Sequence, residues 1–162
     1  MSREAPYTEY LERRYEYNAW KTPPGVESQA GLCLPAFCGD ELPGWKLQRT
    51  ARSQQPDGTP LVRGFWVADH DANRVLDVEV FDRDAARGAR EYVLTLLGDM
   101  QGSAAAREPA DSLGDVAFRV GDSAVVFARR NLVVRIRNAG CAVASGIPAA
   151  RVLDDRLTRR LD

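Results

Sequence analysis

The sequence predicts an α+β protein, in which an antiparallel sheet of about six strands is backed by two helices. Residues 113–138 hold the densest run of β-branched and aromatic residues, and two polar turn signals divide them into three short strands. Residues 61–81 add a pair of strands in which apolar and polar positions alternate. An amphipathic helical pattern follows each group of strands, so strands and helices can share one core.

The N-terminal residues 1–25 are predicted to form a helical arm outside the sheet, and residues 26–162 to form a single α+β domain. The spacing of Tyr7, Leu11 and Tyr15 places these residues on one face of a helix. A Pro-Pro-Gly segment then ends the helix, because proline lacks the amide donor that a helix interior needs.

A long irregular segment, residues 26–44, separates the arm from the first predicted strand at Trp45–Ala51. Its prolines and glycines disfavour regular structure. A loop of this length in a compact domain is either held in place by packing or used for function. A polar turn at residues 53–60 then leads to the next strand.

The clearest predicted hairpin joins Leu61–Ala68 to Arg74–Phe81 through a polar turn. In its second strand three apolar residues alternate with Asp77 and Glu79. Because side chains alternate between the two faces of a strand, this pattern predicts one buried face and one face that carries carboxylates.

Two helices follow the strand groups. The first is predicted to have Asp82 as its N-cap and Gly98 as its C-terminal stop, and the polar segment 101–111 is predicted to be a connector. The second begins at Pro148, which suits the first turn. An apolar stripe runs along this second helix: Ala149, Leu153, Leu157 and Leu161.

The strands of the 113–138 region are predicted to form a meander, with turns at Gly121-Asp122 and Arg129-Arg130-Asn131. Along its last strand Val134 and Ile136 point to one face. Three residues point to the other face: Val133, Arg135 and Arg137. The pattern predicts a half-buried sheet with one face in water.

The two strand pairs that lead into helices suggest an internal duplication of a ββα unit. Phe65 and Phe127 each precede a turn, and the strand after each turn leads to a helix. Two such units would bury their apolar faces by merging into one antiparallel sheet with both helices on a common side.

The composition is that of a single globular domain, with 162 residues, 44% hydrophobic and 28% charged. The formal net charge of -1 disfavours a large surface for nucleic acid or anionic membranes. No apolar run is long enough to span a membrane, and the N-terminus lacks the apolar core of a secretory signal. We therefore expect a cytoplasmic protein, or an extracytoplasmic one if a leader preceded this sequence.

The sequence contains no recognisable catalytic motif, and we expect neither a cofactor nor a metal site. His70, between Asp69 and Asp71, would act as a proton shuttle only if these side chains converged, whereas neighbours in a turn point in different directions. A pocket between sheet and helices with His70 or Cys141 at its rim would instead make the protein a small-ligand binder or an enzyme.

Cys33 and Cys38 enclose a short loop and are a candidate disulfide in an oxidising compartment. The odd number of cysteines, three, favours reduced thiols in an intracellular chain. The sequence leaves both redox states open.

Aromatic and basic residues provide the candidate binding sites. The candidates for docking a partner protein are aromatic, since Tyr and Trp are enriched at interfaces: Tyr7, Tyr10, Tyr15, Tyr17, Trp20 and Trp45. The same rings could instead pack the arm onto the domain. The candidates for binding an anion are arginines of the meander: Arg119, Arg129, Arg135 and Arg137. These could also form a solvated face balanced by nearby acids.

The segments Gly114-Asp115-Val-Ala-Phe118 and Val125-Val-Phe-Ala-Arg-Arg-Asn-Leu-Val-Val134 resemble a pattern near the C-terminal end of small, mostly uncharacterised bacterial proteins. Many of those proteins are secreted or lipid-anchored. The resemblance covers about the last third of the chain. It implies a binding or accessory domain and brings no catalytic residues with it, and this chain differs in showing no leader.

These observations lead to one main hypothesis, a non-catalytic binding or accessory protein. It would dock a partner protein through the Tyr-rich arm and the loop at residues 33–45. The alternatives are a small-ligand binder or enzyme with a pocket near His70 or Cys141, and an anion or nucleic-acid binder that uses the arginines.

Overall fold

The chain forms a seven-stranded antiparallel sheet with three α-helices in the computed structural model, which describes residues 4–22, 31–100, 105–110 and 112–159. The strands are β1 (Trp45–Gln54), β2 (Pro60–Ala68), β3 (Asp71–Asp82), β4 (Ala105–Arg107), β5 (Val116–Val120), β6 (Ala124–Arg129) and β7 (Leu132–Asn138). The helices are α1 (Glu4–Arg14), α2 (Ala86–Asp99) and α3 (Ile147–Arg159), with a 3-10 turn at Tyr17–Ala19. The sheet order is β1-β2-β3-β7-β6-β5-β4. The predicted α+β class and antiparallel sheet are confirmed.

The sheet has seven strands in the described part of the chain, one more than predicted. The additional strand, β4, lies in the segment 101–111 that was expected to be a connector, and it pairs Ala106 with Arg119 of β5. A three-residue edge strand is too short to show the alternation by which strands are recognised. The three strands of the predicted meander are confirmed as β5, β6 and β7.

Helices α2 and α3 pack on opposite faces of the sheet, so the prediction that both helices share one side is wrong. On one side, which we call the α3 face, Val134 belongs to an apolar cluster with Leu153. On the other, the α2 face, Phe81 and Val133 belong to a cluster with Val93. Because β6 and the first part of β7 are apolar on both faces, a single helical layer could not cover them.

Both suggested ββα units keep the predicted order, as β2-β3-α2 and β6-β7-α3. A rotation that relates neighbouring antiparallel strands about an axis normal to the sheet would leave both helices on one face. In this protein α2 and α3 lie on opposite faces, so a rotation of this kind does not superimpose one ββα unit on the other. The internal duplication stays a prediction.

The N-terminal arm packs on α2, although the sequence suggests that it lies outside the body. Arg90 of α2 is buried and donates a hydrogen bond from NH1 to the Trp20 carbonyl at 2.9 Å, and burial lowers the pKa of Arg90. Tyr7 donates from its hydroxyl to the Gly98 carbonyl at 3.0 Å. A Cβ on Gly98 would lie 2.8 Å from Leu11 Cδ1. Gly98 is therefore the point where the two helices approach closely, and not the predicted C-terminal stop.

Asp82 does not cap α2, which begins only at Ala86. Its Oδ1 atom accepts hydrogen bonds from the Asp84 amide at 2.9 Å and from Asn131 Nδ2 at 2.8 Å. Asp84 has a φ of 66°, so the chain makes a left-handed turn between β3 and the helix. The predicted N-cap residue instead stabilises this turn and links β3 to the turn before β7.

The segment 31–44 lies against the α3 face, where Asn131 holds it. The Leu32 amide donates to Asn131 Oδ1 at 2.6 Å, and Asn131 Nδ2 donates to the Leu32 carbonyl at 2.9 Å. Leu32, Phe37 and Leu42 are buried in the same cluster as α3. The segment has no helix or strand, as predicted, and packing holds it in place.

Candidate functional site

The α2 face is covered by a helix over only part of its area. Helix α2 lies against β6 and β7. Toward β1 and β2 the same face carries charged and aromatic side chains, several of which are partly exposed. We call this region the open face, and it consists of Arg49, Arg63, Phe65, Asp77, Glu79, Arg135 and Arg137.

The register of the central strands places these charges side by side. Glu79 of β3 lies between Arg63 of β2 and Arg135 of β7. Asp77 lies between Phe65 and Arg137 in the same way. Residues that are directly opposite in antiparallel strands lie on one face within contact distance. Glu79 of β3 therefore has an arginine opposite it on each side, and Asp77 has one on the β7 side.

Three arginines share the two carboxylates of the open face. Arg63 donates to Asp77 from Nε at 2.9 Å and from NH2 at 2.7 Å. Arg135 NH2 donates to Glu79 Oε1 at 2.9 Å. Arg137 NH2 bridges both acids, at 3.0 Å from Asp77 Oδ2 and 2.7 Å from Glu79 Oε1. The hydrogen bond with Asp77 raises the pKa of Arg63.

The two carboxylates are buried, whereas the sequence pattern suggests a face in water. Asp77 and Glu79 are each 4% exposed, because the arginines of the neighbouring strands lie over them. The side chains of Arg63 and Arg137 remain about two-fifths exposed, at 41% and 39%. The outer layer of the open face is therefore cationic, and the acids lie beneath it.

Each of these arginines keeps hydrogen-bonding capacity that the described chain does not use. NH1 of Arg63, of Arg135 and of Arg137 has no acceptor among the described residues and is not buried. Nε of Arg137 is buried and has no acceptor there either. A guanidinium has five N–H donors in a planar fork, so donors that face solvent can receive a carboxylate.

Phe65 forms the apolar centre of the open face and is partly exposed. The guanidinium carbons of Arg49 and Arg63 lie 4.2 Å and 4.7 Å from its ring centroid. Within the described ranges no carboxylate lies at ion-pair distance from Arg49. Four arginines thus accompany two carboxylates, which leaves an excess of two positive charges around one aromatic ring.

The predicted stripe of four arginines is wrong as a single surface, because alternation sends two of them to the other face. Arg129 lies on the α3 face and donates to Asp154 of α3 from Nε and from NH2, each at 2.7 Å. Its NH1 donates to Asp115 at 3.2 Å. We call these three residues the Asp154 cluster. Arg119 also lies on the α3 side and faces Glu108 at 4.0 Å.

The Asp154 cluster fixes α3 to the hairpin of β6 and β7. Asp154 is buried and also accepts a hydrogen bond from the Gly114 amide at 2.9 Å. Hydrogen bonds to Asp154 raise the pKa of Arg129. The cluster contains more carboxylates than arginines, and its acceptors are occupied by groups of the chain itself. We assign it a structural role.

The aromatic residues of the arm divide into buried and exposed sets, and the buried set corrects the predicted docking surface. Tyr15, Tyr17 and Trp20 are 8%, 7% and 3% exposed. Trp20 packs on Phe118 of β5 with ring centroids 5.4 Å apart. These rings fill the space between the arm, α2 and the sheet. The exposed aromatic residues of the arm are Tyr7 and Tyr10, and Trp45 is partly buried against the α3-face cluster.

The alternative sites of the sequence analysis are exposed. His70 lies in the turn between β2 and β3, and Cys141 lies in the segment after β7. The segment that holds Cys141 contacts the start of β3, where the Ala142 amide donates to the Asn73 carbonyl at 3.0 Å. A shallow depression does occur in the described chain, but it is lined by the end of the arm: Glu12, Arg13, Glu16, Asn18 and Ala19.

Cys33 and Cys38 are free and exposed, so the candidate disulfide is not formed. The loop between them is stabilised in another way. Glu41 is buried, and its carboxylate accepts hydrogen bonds from the backbone amides of Cys38 and Gly39. Two amides thus satisfy the Glu41 carboxylate within the loop.

No three His, Cys, Asp or Glu side chains in the described ranges come close enough together to hold a metal ion. Among the helices described, none combines the length and the apolar character that a membrane crossing requires. Comparison with known protein families, with curated proteins and with solved structures finds no match to this chain. Conclusions about function therefore depend on the geometry alone.

Proposed function

We propose that this protein is a non-catalytic binding protein that docks an acidic segment of a partner protein on the open face. One observation carries the proposal: the arginines of the open face outnumber its carboxylates, and two of them, Arg63 and Arg137, have side chains about two-fifths exposed with an NH1 that no described residue accepts from. The planar guanidinium fork matches the geometry of a carboxylate, so Asp and Glu side chains are its natural ligands.

The carboxylates of the open face support binding over catalysis. Asp77 and Glu79 accept hydrogen bonds from the surrounding arginines and are buried beneath them. A general acid or base must reach the proton that it transfers. Here the acids hold the arginines at fixed positions, and such fixed donors lose less side-chain entropy when they bind.

The shape of the open face favours a protein segment over a small anion. Its arginines lie on β1, β2 and β7, and the strand order puts β3 between the last two. Strands are spaced by about 4.8 Å, so these donors are distributed across about 14 Å of sheet. Small ligands are usually enclosed in concave sites. A surface in which arginines of three strands surround a central ring suits a segment that carries several acids.

A titration with a fluorescently labelled peptide of alternating Glu and Val tests the proposal. We expect the anisotropy of the label to report saturable binding that weakens as NaCl rises to about 0.5 M, because salt screens exposed charges. A Lys and Val peptide of the same length should not bind. Equal binding of both peptides, or no binding of the acidic one, would contradict the proposal.

A pair of matched variants locates the docking surface. Arg49→Gln with Phe65→Ala removes one charge and one ring from the open face, and neither residue takes part in a described ion pair. Arg87→Gln with Tyr10→Ala makes the same chemical changes at exposed positions of α2 and the arm. We expect the first variant to weaken peptide binding by about tenfold and the second by less than about twofold. The reverse result would place docking on the arm.

A further inference from the structure

We infer that the acidic segment binds as an additional β-strand along the outer edge of β1, beside the open face. This inference rests on the proposed function and adds the backbone mode of recognition. Strand addition to an exposed sheet edge is a general route to peptide binding, in which backbone hydrogen bonds provide affinity and alternate side chains provide specificity.

The edge strand β1 is long and accessible. It has ten residues, of which eight are exposed, and β2 is its pairing partner in the sheet. The contact that the segment 31–44 makes with it includes a hydrogen bond from the Arg52 side chain to the Pro35 carbonyl. Among the described residues, no strand pairs with the other edge of β1.

The geometry of β1 is regular enough to receive a strand. A bulge at Gln48 interrupts the register, but every residue from Arg49 to Gln54 is paired in order with β2. The strand contains no proline and no glycine. Proteins often block edge strands with such residues, with bulges or with charge, and in β1 charge remains the main protection along the regular part.

The charge of β1 identifies the partner. Lys46, Arg49 and Arg52 are its charged residues, and it contains no acid. Pairing with a second copy of β1 would bring cationic strands together, and like charges on neighbouring strands repel. An acidic strand would find opposite charges instead. We therefore assign the edge to an acidic segment of another protein and not to self-association.

The two sides of β1 predict the pattern of this segment. Lys46 and Arg49 project on the α2 face, opposite Val67 and Phe65 of β2. Leu47 projects on the α3 face and packs against its apolar cluster. Side chains of an added strand alternate between faces in the same way. On the α2 face an acidic residue of the segment would lie beside Arg49, and on the α3 face an apolar residue beyond the bulge would lie beside Leu47.

N-methylation of the peptide backbone tests this inference without altering the protein. In an added strand, alternate amides point toward β1 and away from it. We prepare the Glu and Val peptide with its Glu amides methylated, and separately with its Val amides methylated. One set should lose affinity by about tenfold or more, because methylation removes the donors that face β1, and the other set should change by less than about threefold.

The outcomes separate the inference from the proposed function. If the unmodified peptide binds and the two methylated sets retain or lose affinity equally, strand addition is overturned while docking on the open face stands. If the unmodified peptide does not bind, the proposed function fails first. If sedimentation equilibrium shows that the free protein self-associates and that Arg49→Glu strengthens it, the edge serves a second copy and the inference is overturned.

Discussion

The Asp154 cluster and the open face both consist of hydrogen bonds between arginines and carboxylates, but they differ in which of the two is in excess. In the Asp154 cluster one arginine meets two carboxylates, and its side chain is 25% exposed. On the open face, three arginines meet two carboxylates, and two of the arginine side chains are about 40% exposed. Where acids are in excess, each nitrogen of the guanidinium donates to a carboxylate of the chain. Where arginines are in excess, donors remain for a ligand.

The comparison also distinguishes the two faces of the sheet. The α3 face is closed by a helix and by the segment 31–44, so its charged and polar groups join the hairpin of β6 and β7 to these covering elements. The α2 face is closed only in part, so its charged groups join neighbouring strands. A cluster that joins the sheet to a covering helix is expected to affect stability more than one that lies along the sheet surface.

The largest effect is expected from Arg129→Gln in the Asp154 cluster. The change leaves Asp154 buried between α3 and the sheet without its cationic partner, which should lower the free energy of unfolding by about 3 kcal/mol. Urea denaturation followed by circular dichroism measures this loss. Arg159→Gln is the control, because its ion pair with Asp155 is more than two-thirds exposed and should contribute less than about 0.5 kcal/mol. Equal losses for both variants would refute the structural role.

Asn131→Ala should have the next largest effect. It removes hydrogen bonds that satisfy the Leu32 backbone, and unsatisfied buried backbone groups should cost about 2 kcal/mol in the free energy of unfolding. Hydrogen exchange should show faster exchange of the Leu32 amide, while amides of β6 keep their protection. The exposed Asn73→Ala serves as the control. An unchanged Leu32 exchange rate would mean that packing alone holds the segment 31–44.

Arg137→Gln on the open face should cost less than Arg129→Gln. Asp77 and Glu79 would keep Arg63 and Arg135 as partners, and the Arg137 side chain is 39% exposed, so we expect a loss of about 1 kcal/mol in urea denaturation. The paired measurement tests the comparison directly. A loss as large as that of Arg129→Gln would show that the open-face acids depend on every arginine, and that this cluster is structural as well.

The smallest change in stability is expected from Arg49→Gln. Its described contact is with the partly exposed ring of Phe65, so the free energy of unfolding should change by less than about 0.5 kcal/mol. Affinity for the Glu and Val peptide should nevertheless fall several-fold. Measuring both quantities on one preparation separates folding from binding. A lower free energy of unfolding with unchanged peptide affinity would show that Arg49 stabilises the fold and does not bind the peptide.

The sequence pattern identified most strands, because alternation of apolar residues is a local property. It did not show that Asp77 and Glu79 would be buried, since their exposure depends on which residues of β2 and β7 lie opposite them. Register between strands follows from turns and from tertiary packing, and a single strand does not encode it. The excess of arginines over carboxylates on the open face could not be predicted either, because it also depends on the register between strands.

One error had a visible signal. The runs Val125-Val-Phe-Ala128 and Leu132-Val-Val134 are apolar at consecutive positions, which is typical of strands covered on both faces. These apolar runs favour helices on both faces of the sheet, whereas the duplication hypothesis placed both helices on one face. The packing of the N-terminal arm on the rest of the chain was harder to predict. Tyr15 and Trp20 suit an interface, but their sequence does not reveal that the interface lies within the same chain.

The long-range hydrogen bonds of the N-terminal part have a consequence for biosynthesis. Trp20 is hydrogen-bonded to Arg90, Leu32 to Asn131, and Asp40 to Arg156. The last two residues are 116 positions apart in the sequence. Contacts so distant in sequence slow folding. A chain emerging from the ribosome therefore carries Trp20 without its partner until Arg90 has emerged, and carries Leu32 and Asp40 without theirs until translation is nearly complete. During that interval the aromatic rings of the arm, which are buried in the folded protein, would be accessible to chaperones and proteases.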